Sequence, residues 1–403
     1  MKVAVIGGGA AGFFSAINAK ENFPEAEVSI LEKSQKILAK VKISGGGRCN
    51  VTNSATSIKE LCAGYPRGTK AMKKLLPIFG TTDTVTWFES RGVALYAQDD
   101  TRVFPKSDNS QSVIDLLLSE CERLGVAIKM GCDVKNISPI DTGFDLQIKG
   151  DQVMHFDKVI VASGGSPKTD GLQWLADLGH EIEPSVPSLF TFNMPSEKVK
   201  AMMGLSVEPA LIHVQGTKLN SIGPLLITHW GMSGPAVLKL SSFGARDLAD
   251  LSYDFKIQVN WTGVQNHDEV HDDLISLSES FGGKMIANLR PFALPERLWI
   301  YLLQRADIES DKPFRELGRK SRNKLVNALT NDIYAVKGKT TFKEEFVTCG
   351  GVSWNSVNPK TMESRVVPGL YFSGEILDVD GVTGGFNFQA AWTTGFVAGK
   401  LMQ

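Results

Sequence analysis

The sequence predicts an α/β fold built around a dinucleotide-binding domain that is interrupted by an inserted module. Two observations support this prediction. An apolar run at residues 3–6 leads into a G-x-G-x-x-G motif, formed by Gly7, Gly9 and Gly12, and then into a helix of small residues. The alternation of strand-like and helix-like patterns stops near residue 190 and returns only towards the C-terminus. Such alternation is typical of a parallel sheet covered by helices.

The glycine motif has a physical role at each position. Gly7 permits the tight turn, Gly9 lets the backbone approach a pyrophosphate, and Gly12 lets the helix lie close to the strand. The amides at the helix N-terminus then bind the phosphates. A second strand at residues 27–31 ends at Glu32, about 20 residues beyond the last glycine, where an acid hydrogen-bonds the adenosine ribose. Strand, helix, second strand and acid together predict a dinucleotide site.

The remaining elements divide the chain. The first part is completed by a helix at residues 112–123, by short strands at 126–130, 144–148 and 153–156, and by a buried strand at 158–162. Short β-type runs between residues 189 and 261 indicate a barrel or sandwich, and residues 267–336 have a helical pattern. We therefore expect a nucleotide domain of residues 1–190 and 337–403, an inserted β-barrel of 191–262 and a small helical domain of 263–336.

Composition narrows the class of protein. The net charge is −1, so no global field favours nucleic acid or anionic membrane. The five cysteines form no C-x-x-C pair, which indicates neither a disulfide framework nor a thiolate metal site and suits a reducing cytoplasm. We expect no bound metal and no membrane span. Residues 284–340 contain 12 Lys and Arg against 6 Asp and Glu, which favours a solvated helical face over a nucleic-acid surface.

The segment 42–50 is the most unusual in the chain. Three consecutive glycines, Gly45 to Gly47, indicate a strained backbone or close approach to a ligand. Arg48 offers a planar donor fork to a phosphate or a flavin carbonyl. Cys49 has two interpretations, a thiolate that exchanges electrons with the cofactor or a small buried filler, and the second is favoured.

The C-terminal segment 374–389 forms the other half of the predicted site. A strand ending at Gly374 places Glu375 where it can hold a ribityl hydroxyl. Gly385 precedes the last helix, whose positive end would face the N1–C2=O edge of a flavin. Asp378 and Asp380 lie in the loop between them, and a divalent ion at these two carboxylates is not favoured because no further ligands cluster there.

Four motifs resemble the bacterial HI0933-like, or BaiN-like, flavoprotein family, whose members are described as NAD(FAD)-utilising dehydrogenases or as the aminoacetone oxidase family. They lie at residues 43–53, 223–235, 345–351 and 374–389, and the resemblance extends over the whole chain. It implies non-covalently bound FAD in a Rossmann-type domain of the glutathione reductase and fumarate reductase class, interrupted by a β-barrel and a small helical domain. The loop at residues 164–171 is shorter than the family's usual glycine-rich turn.

Carried onto this chain, the FAD contacts implied by the resemblance are Gly7, Gly9, Ala10, Ala11, Gly12, Glu32, Lys33, Gly46, Gly47, Arg48, Cys49, Asn50, Val134, Ala162, Gly164, Glu375, Gly385 and Asn387.

His229, in the 223–235 motif, is the candidate proton donor or acceptor, because imidazole titrates near neutral pH. The alternative is a structural histidine that anchors a loop of the barrel. The neighbouring G-M-S-G-P sequence misses the nucleophile-elbow pattern at Pro235, so we expect no serine nucleophile.

These observations predict an FAD-dependent oxidoreductase that exchanges a hydride at flavin N5 with a small organic substrate, an amine or an enone, bound between the FAD domain and the insert. A second G-x-G-x-x-G is missing, so NAD(P)H is expected only as a transient electron donor. Two other classes stay open: a flavin-dependent RNA-modifying enzyme, and a flavin-binding sensing or interaction protein without turnover. The oligomeric state is not indicated by the sequence.

Overall fold

The computed structural model describes residues 1–55, 57–150, 152–341 and 347–402, and of Thr169 the backbone only. Glu345 and Phe346, which begin the 345–351 motif, lie outside the described residues. The chain forms two compact units. Unit 1 consists of Met1–Ser188 and Phe342–Gln403, and unit 2 consists of Leu189–Thr341.

The first segment of unit 1 contains eleven strands among the described residues: β1 (Lys2–Ile6), β2 (Glu27–Glu32), β3 (Thr52–Asn53), β4 (Leu95–Ala97), β5 (Arg102–Pro105), β6 (Ala127–Met130), β7 (Val134–Ile140), β8 (Gly143–Ile148), β9 (Gln152–Phe156), β10 (Lys158–Val161) and β11 (Ile182–Ser188). Its α-helices are α1 (Ala10–Asn22), α2 (Ala39–Gly47), α3 (Ile58–Ala63), α4 (Thr69–Leu75), α5 (Thr81–Glu89), α6 (Gln111–Leu124) and α7 (Gln173–Ala176).

Unit 2 contains the strands β12 (Thr191–Asn193), β13 (Ser206–Val214), β14 (Asn220–Ile227), β15 (Gly231–Ser233), β16 (Asp254–Asn260), β17 (Asp332–Lys337) and β18 (Lys339–Thr340). Its α-helices are α8 (Pro235–Phe243), α9 (Ala245–Asp250), α10 (His267–Phe281), α11 (Glu296–Arg305) and α12 (Arg319–Thr330). The chain then returns to unit 1 with β19 (Val347–Val352), β20 (Leu370–Phe372) and α13 (Phe386–Ala398).

The core of unit 1 is a parallel five-stranded sheet in the order β20-β10-β1-β2-β6. The strand β1 lies at its centre, and Val3, Ala4 and Val5 are fully buried, as expected for a parallel strand covered on both faces. The chain runs from β1 towards β2 and β6 on one side and continues with β10 and β20 on the other. Ligands of such sheets bind at the carboxyl ends of the strands where this order reverses, which here is the edge formed by β1 and β10.

The first and last helices of unit 1 pack closely against each other. A β-carbon on Gly395 of α13 would lie 3.1 Å from the carbonyl oxygen of Ala11 in α1, and one on Gly399 would lie 2.8 Å from that of Ser15. Small residues therefore let the two backbones approach. Every residue of α1 from Ala11 to Ala19 is buried, so this helix belongs to the interior of the unit.

Three smaller sheets complete unit 1. The strands β7, β8 and β9 form an antiparallel meander, in which β8 and β9 are the short strands expected at residues 144–148 and 153–156. The strands β3, β5 and β4 form a second antiparallel sheet, and β11 pairs with β19. The predicted α/β class with a Rossmann-type domain is confirmed by this architecture.

Unit 2 is built on an antiparallel seven-stranded sheet in the order β17-β16-β13-β14-β15-β12-β18. Its two edge strands, β17 and β18, are separated in sequence by Gly338 alone, so the sheet curls until its edges meet, as in a barrel. The helices α10, α11 and α12 precede β17 in the chain, and Leu298, Trp299 and Leu329 join the buried core of the barrel.

A buried carboxylate connects α11 to the barrel. Asp332 of β17 accepts hydrogen bonds from Trp261 Nε1 at 3.0 Å and from the hydroxyl of Tyr334, and it forms an ion pair with Arg305 of α11 at 2.7 Å. Burial raises the pKa of Asp332, and these donors oppose that rise. A buried carboxylate with several donors is a structural anchor, and we assign this one to holding the helices on the barrel.

Candidate functional site

The glycine motif follows β1 at the edge where the strand order reverses. Gly7 has φ +115°, and a β-carbon there would lie 2.4 Å from the carbonyl oxygen of Ala162. A β-carbon on Gly12 would lie 1.9 Å from the carbonyl oxygen of Gly7. Gly7 thus has the positive φ of a tight turn, Gly12 lets α1 approach the end of β1, and Ala162, directly after β10, packs against Gly7.

Gly9 differs from these two glycines. A β-carbon on Gly9 would meet no atom within 4 Å, so the space beside it is open. Gly9 also caps α1, and no side chain caps this helix terminus. The first amides of α1, at Ala10, Ala11 and Gly12, thus have no side-chain cap, and a helix N-terminus of this kind can bind a pyrophosphate.

Glu32 lies at the end of β2, beside the glycine motif. Its Oε2 accepts the backbone N–H of Gly8 at 2.7 Å, and its Oε1 accepts that of Ser34 at 2.8 Å. Each oxygen keeps a second lone pair, which can accept a ribose hydroxyl. The neighbouring Lys33 is exposed.

Val134 begins β7, two residues after Cys132, whose N–H donates to the carbonyl oxygen of Glu32 at 2.9 Å. The chain at Val134 is therefore tied to the end of β2 that carries the predicted ribose-binding acid. On the other side of the site, Gly164 has φ +77° and open space beside it.

The triple-glycine segment ends α2, where Ser44, Gly45 and Gly46 depart from helical φ and ψ. Gly45, Gly46 and Gly47 all have positive φ, and the space beside Gly46 and Gly47 is open. Arg48 follows them, with its guanidinium carbon 4.1 Å from the centre of the Phe104 ring and its Nη1 3.9 Å from Asp108. Stacking on Phe104 leaves donors of the guanidinium available to an anion.

Cys49 is fully buried, and burial raises the pKa of its thiol to about 12. The thiol is therefore protonated at neutral pH, and a thiolate that exchanges electrons with a cofactor is not supported. The structure favours the other interpretation from the sequence, a small buried side chain.

Asn50 joins this segment to the start of α13. In the orientation that satisfies its amide, Oδ1 accepts the N–H of Gly385 at 2.9 Å, while Nδ2 donates to the carbonyl oxygens of Thr52 at 3.0 Å and Val103 at 3.2 Å. Asn387 is likewise engaged, since its amide binds the N–H of Gly381 at 2.8 Å and the carbonyl of Gly381 at 2.9 Å. Both side chains shape the loop that leads into α13.

Glu375 follows β20 and is already paired on both oxygens. Its Oε1 accepts the N–H of Thr348 at 2.9 Å, and its Oε2 forms an ion pair with Lys40 Nζ at 2.7 Å. Lys40 was not among the residues predicted from the sequence. Its position one turn before the triple glycine is the only signal that could have indicated it.

A second ion pair that sequence reasoning missed is buried behind the 378–385 loop. Arg67 donates to both carboxylate oxygens of Asp380, and Ser188 Oγ donates to Asp380 Oδ2 at 2.6 Å. Burial raises the pKa of Asp380, and Arg67 opposes that rise. The carboxylate of Asp380 is thus occupied by protein donors. Across the described residues no group of three His, Cys, Asp or Glu side chains is arranged to hold a metal ion.

His229 lies in unit 2, in the loop between β14 and β15, whereas all the predicted FAD contacts lie in unit 1. Its ring is exposed and packs edge-to-face on Trp230, with the centroids 4.2 Å apart. By contrast His180 of unit 1 is buried between the carbonyl oxygen of Leu175 and the hydroxyl of Ser364, and burial lowers its pKa. Of these two imidazoles, His229 has the accessibility that proton transfer with a ligand requires.

The chain matches known proteins over its full length. Residues 1–401 match the model of the HI0933-like protein Rossmann domain. The 3-dehydro-bile acid delta(4,6)-reductase of Clostridium scindens is 28% identical over 407 residues, which cover 99% of this chain and 98% of the relative. The ribosomal RNA dihydrouridine synthase of Escherichia coli is 29% identical over 408 residues, which cover 98% and 96%.

A solved structure shows the same fold at low sequence identity. The 3-ketosteroid delta1-dehydrogenase from Sterolibacterium denitrificans aligns with a TM-score of 0.51 and 13% identity over 98% of both chains. In the described part of the chain, no helix combines the length and the apolar character needed to cross a membrane.

Proposed function

The chain belongs to the HI0933-like family of flavin-dependent oxidoreductases, as the four motifs predicted, and we propose that it reduces a carbon–carbon double bond conjugated to a carbonyl group. The observation that carries the proposal is a bond type shared by two relatives with different substrates. A 3-dehydro bile acid with delta(4,6) unsaturation contains a conjugated dienone, and dihydrouridine is uridine with its C5=C6 bond saturated next to the C4 carbonyl. Neither relative is named for an amine.

The residues of unit 1 fit FAD. The open space beside Gly9 and the uncapped N-terminus of α1 suit the pyrophosphate, and Glu32 suits the ribose. Glu375 is held by Lys40 and the Thr348 amide, and each of its oxygens keeps a second lone pair that can accept a ribityl hydroxyl. When bound, FAD supplies a hydride from its reduced N5.

The protein's own contribution is to bind, orient and supply charge. The first amides of α13, after Gly385, carry the positive end of a 13-residue helix, which would favour negative charge on the N1–C2=O edge of a flavin bound in front of it. Reduction of a conjugated double bond also needs a proton at the carbon next to the carbonyl, and we assign this proton to His229. The substrate is a small molecule, and NADH or NADPH is the proposed electron donor.

The first experiment measures the visible flavin band of the purified protein without oxygen. NADH and NADPH are added separately, and the reduced protein is then mixed with a 3-oxo-delta(4,6) steroid or, as matched control, with the saturated 3-oxo steroid. Aminoacetone is added to a separate sample of the oxidised protein. We expect the dienone alone to restore the oxidised band. Bleaching of the oxidised protein by aminoacetone, with no reoxidation by the dienone, would instead identify an amine oxidase.

His229 is tested in the same assay. His229→Ala should keep FAD and be reduced normally, but its reoxidation by the dienone should slow about 100-fold, the usual contribution of a general acid. Trp230→Phe is the matched control, because it alters the stacking partner and keeps the imidazole. If the dienone reoxidises His229→Ala at the same rate as the parent protein, His229 is a structural residue.

A second candidate is the same reduction on a uracil base in RNA, and the name of the Escherichia coli relative favours it. The α12 helix supports it, since Arg319 and Lys320 at its start are exposed and make no ion pair among the described contacts. Reoxidation by a uridine-containing oligoribonucleotide, together with binding that weakens steeply with salt, would select this substrate over the small enone.

A further inference from the structure

The two-residue strand β3 lies against the turn that precedes α13. Asn53 is 3% exposed, and its Nδ2 donates to the carbonyl oxygen of Gly384 at 3.0 Å and to the hydroxyl of Thr101 at 2.9 Å. Its Oδ1 accepts the N–H of Ala55 at 2.9 Å. Both donors of this buried amide, and one acceptor site of its oxygen, are thus used to join the turn to β3 and to the residue before β5.

Thr52, the other residue of β3, reaches one turn into α13. Its hydroxyl donates to Gln389 Oε1 at 2.5 Å, and Thr84 donates to the same oxygen at 2.9 Å. Gln389 Nε2 in turn donates to the hydroxyl of Thr393 at 2.9 Å. Gln389 is fully buried, so this satisfied network fixes the rotation of the first turn of α13 about the helix axis.

The backbone of the turn also rests directly on β3. Gly384 and Gly385 have φ +119° and +89°, and a β-carbon on Gly385 would lie 2.3 Å from the carbonyl oxygen of Thr52. No side chain caps α13. The direction in which its first free amides point is therefore set by β3, through contacts on the side of the helix that Thr52 and Asn53 occupy.

We propose that Thr52 and Asn53 are positioning residues that aim the first amides of α13 at the N1–C2=O edge of the flavin and thereby set its affinity for electrons. This inference rests on the FAD binding in the proposed function. Neither side chain has to contact the cofactor, because each acts through the helix. An electrostatic contribution of this kind depends on direction and falls off within the first helical turn, so a small rotation of α13 weakens it.

The test uses the full-length, FAD-loaded protein in the oxidised state and without substrate. Thr52→Val removes the hydroxyl at nearly constant shape, and Thr52→Ser restores it. Asn53→Ala removes the bond to Gly384, whereas the matched control Thr101→Ala removes only the other bond of the same amide. The probes are sulfite, whose addition to oxidised flavin places negative charge on the N1–C2=O edge, and the two-electron reduction potential.

We expect Thr52→Val and Asn53→Ala to retain FAD, to bind sulfite about tenfold more weakly, a ratio equal to about 1.4 kcal/mol, and to have a more negative potential. Thr52→Ser and Thr101→Ala should stay close to the parent protein. Parent-like sulfite affinity and potential in FAD-loaded Thr52→Val and Asn53→Ala would overturn the inference. If Asn53→Ala does not bind FAD, the test depends on Thr52→Val alone. A sulfite affinity and a potential equal to those of the parent protein in Thr52→Val would then overturn the inference.

Failure of this inference and failure of the proposed function are distinguishable. A parent protein that binds FAD and sulfite but reduces no conjugated double bond contradicts the function and leaves this test intact. Variants that behave like the parent contradict the inference while the parent still reduces the dienone.

Discussion

The two glycine loops of unit 1 use glycine for different reasons. In the first, which follows β1 and extends into α1, Gly7 and Gly12 are required because backbone oxygens lie 2.4 Å and 1.9 Å from where their β-carbons would be, while Gly9 faces open space with an ordinary extended φ of −94°. In the second, which ends α2, Gly46 and Gly47 have ample room, and their φ values of +69° and +86° are what favours glycine. A glycine in this unit can therefore indicate close packing, space for a ligand or a left-handed backbone conformation.

The largest expected effect is at Gly12. Gly12→Ala places a methyl group against the carbonyl oxygen of Gly7, and the backbone on either side must move. We expect a loss of about 3 kcal/mol or more in the free energy of unfolding, the upper range for overpacking, together with loss of FAD. Chemical denaturation and the flavin-to-protein absorbance ratio measure both quantities. A stable, fully yellow Gly12→Ala would show that the contact is relieved without cost.

Gly9→Val should separate cofactor binding from folding. Its side chain enters the open space assigned to the pyrophosphate, so FAD binding should be lost. The stability of the FAD-free protein should change by less than about 1 kcal/mol, because the φ of Gly9 suits any residue. The comparison is made by titrating FAD into the apoprotein and by denaturation of the apoprotein. Full FAD occupancy in Gly9→Val would contradict the placement of the pyrophosphate.

Gly46→Ala tests the conformational role of the second loop. The added methyl group meets no atom, so the expected cost is that of a left-handed alanine, about 1 kcal/mol in the free energy of unfolding. Gly46→Asn is the matched control and should cost less, since asparagine tolerates this conformation better. A cost above that of Gly12→Ala would contradict the distinction between the two loops.

The smallest effect is confined to alkaline pH. Burial raises the pKa of Cys49 from 9.0 to about 12, so above pH 9 the unfolded chain releases a proton that the folded chain keeps. Stability therefore falls as pH rises through this window, by about 1 kcal/mol between pH 9 and 10 for one thiol.

Cys49→Ala should remove the part of this fall in the free energy of unfolding that the Cys49 thiol causes. The packing energy lost with the side chain does not depend on pH, so it does not change the slope. Cys121→Ala is the matched comparison, because burial raises the pKa of Cys121 to about 12 as well. The measurement is the free energy of unfolding of each variant at pH 8, 9 and 10. Equal slopes for Cys49→Ala and the parent protein would show that the Cys49 thiol ionises in the folded state.

The glycine motif, Glu32 and the start of α13 at Gly385 were predictable because each depends on a local pattern: strand, turn and helix follow one another in the chain. The ion pairs between Lys40 and Glu375 and between Arg67 and Asp380 were not, because their partners are more than 300 residues apart and many other lysines and arginines were available. Asn50 was predicted as a cofactor contact, and the structure adds its bond to the Gly385 amide, which only the pairing of two distant loops could reveal.

The positions of β20 and α13 in the chain have a consequence for synthesis. Residue 372 of β20 pairs with residue 161 of β10, and α13 covers α1, so the central sheet and its covering helix are completed only after unit 2 has been synthesised. Unit 2 is finished well before that and can fold first, as domains generally do during translation. The nascent N-terminal segment must therefore keep the apolar surface of α1 shielded until α13 has been synthesised, and we expect FAD to be captured only after that point.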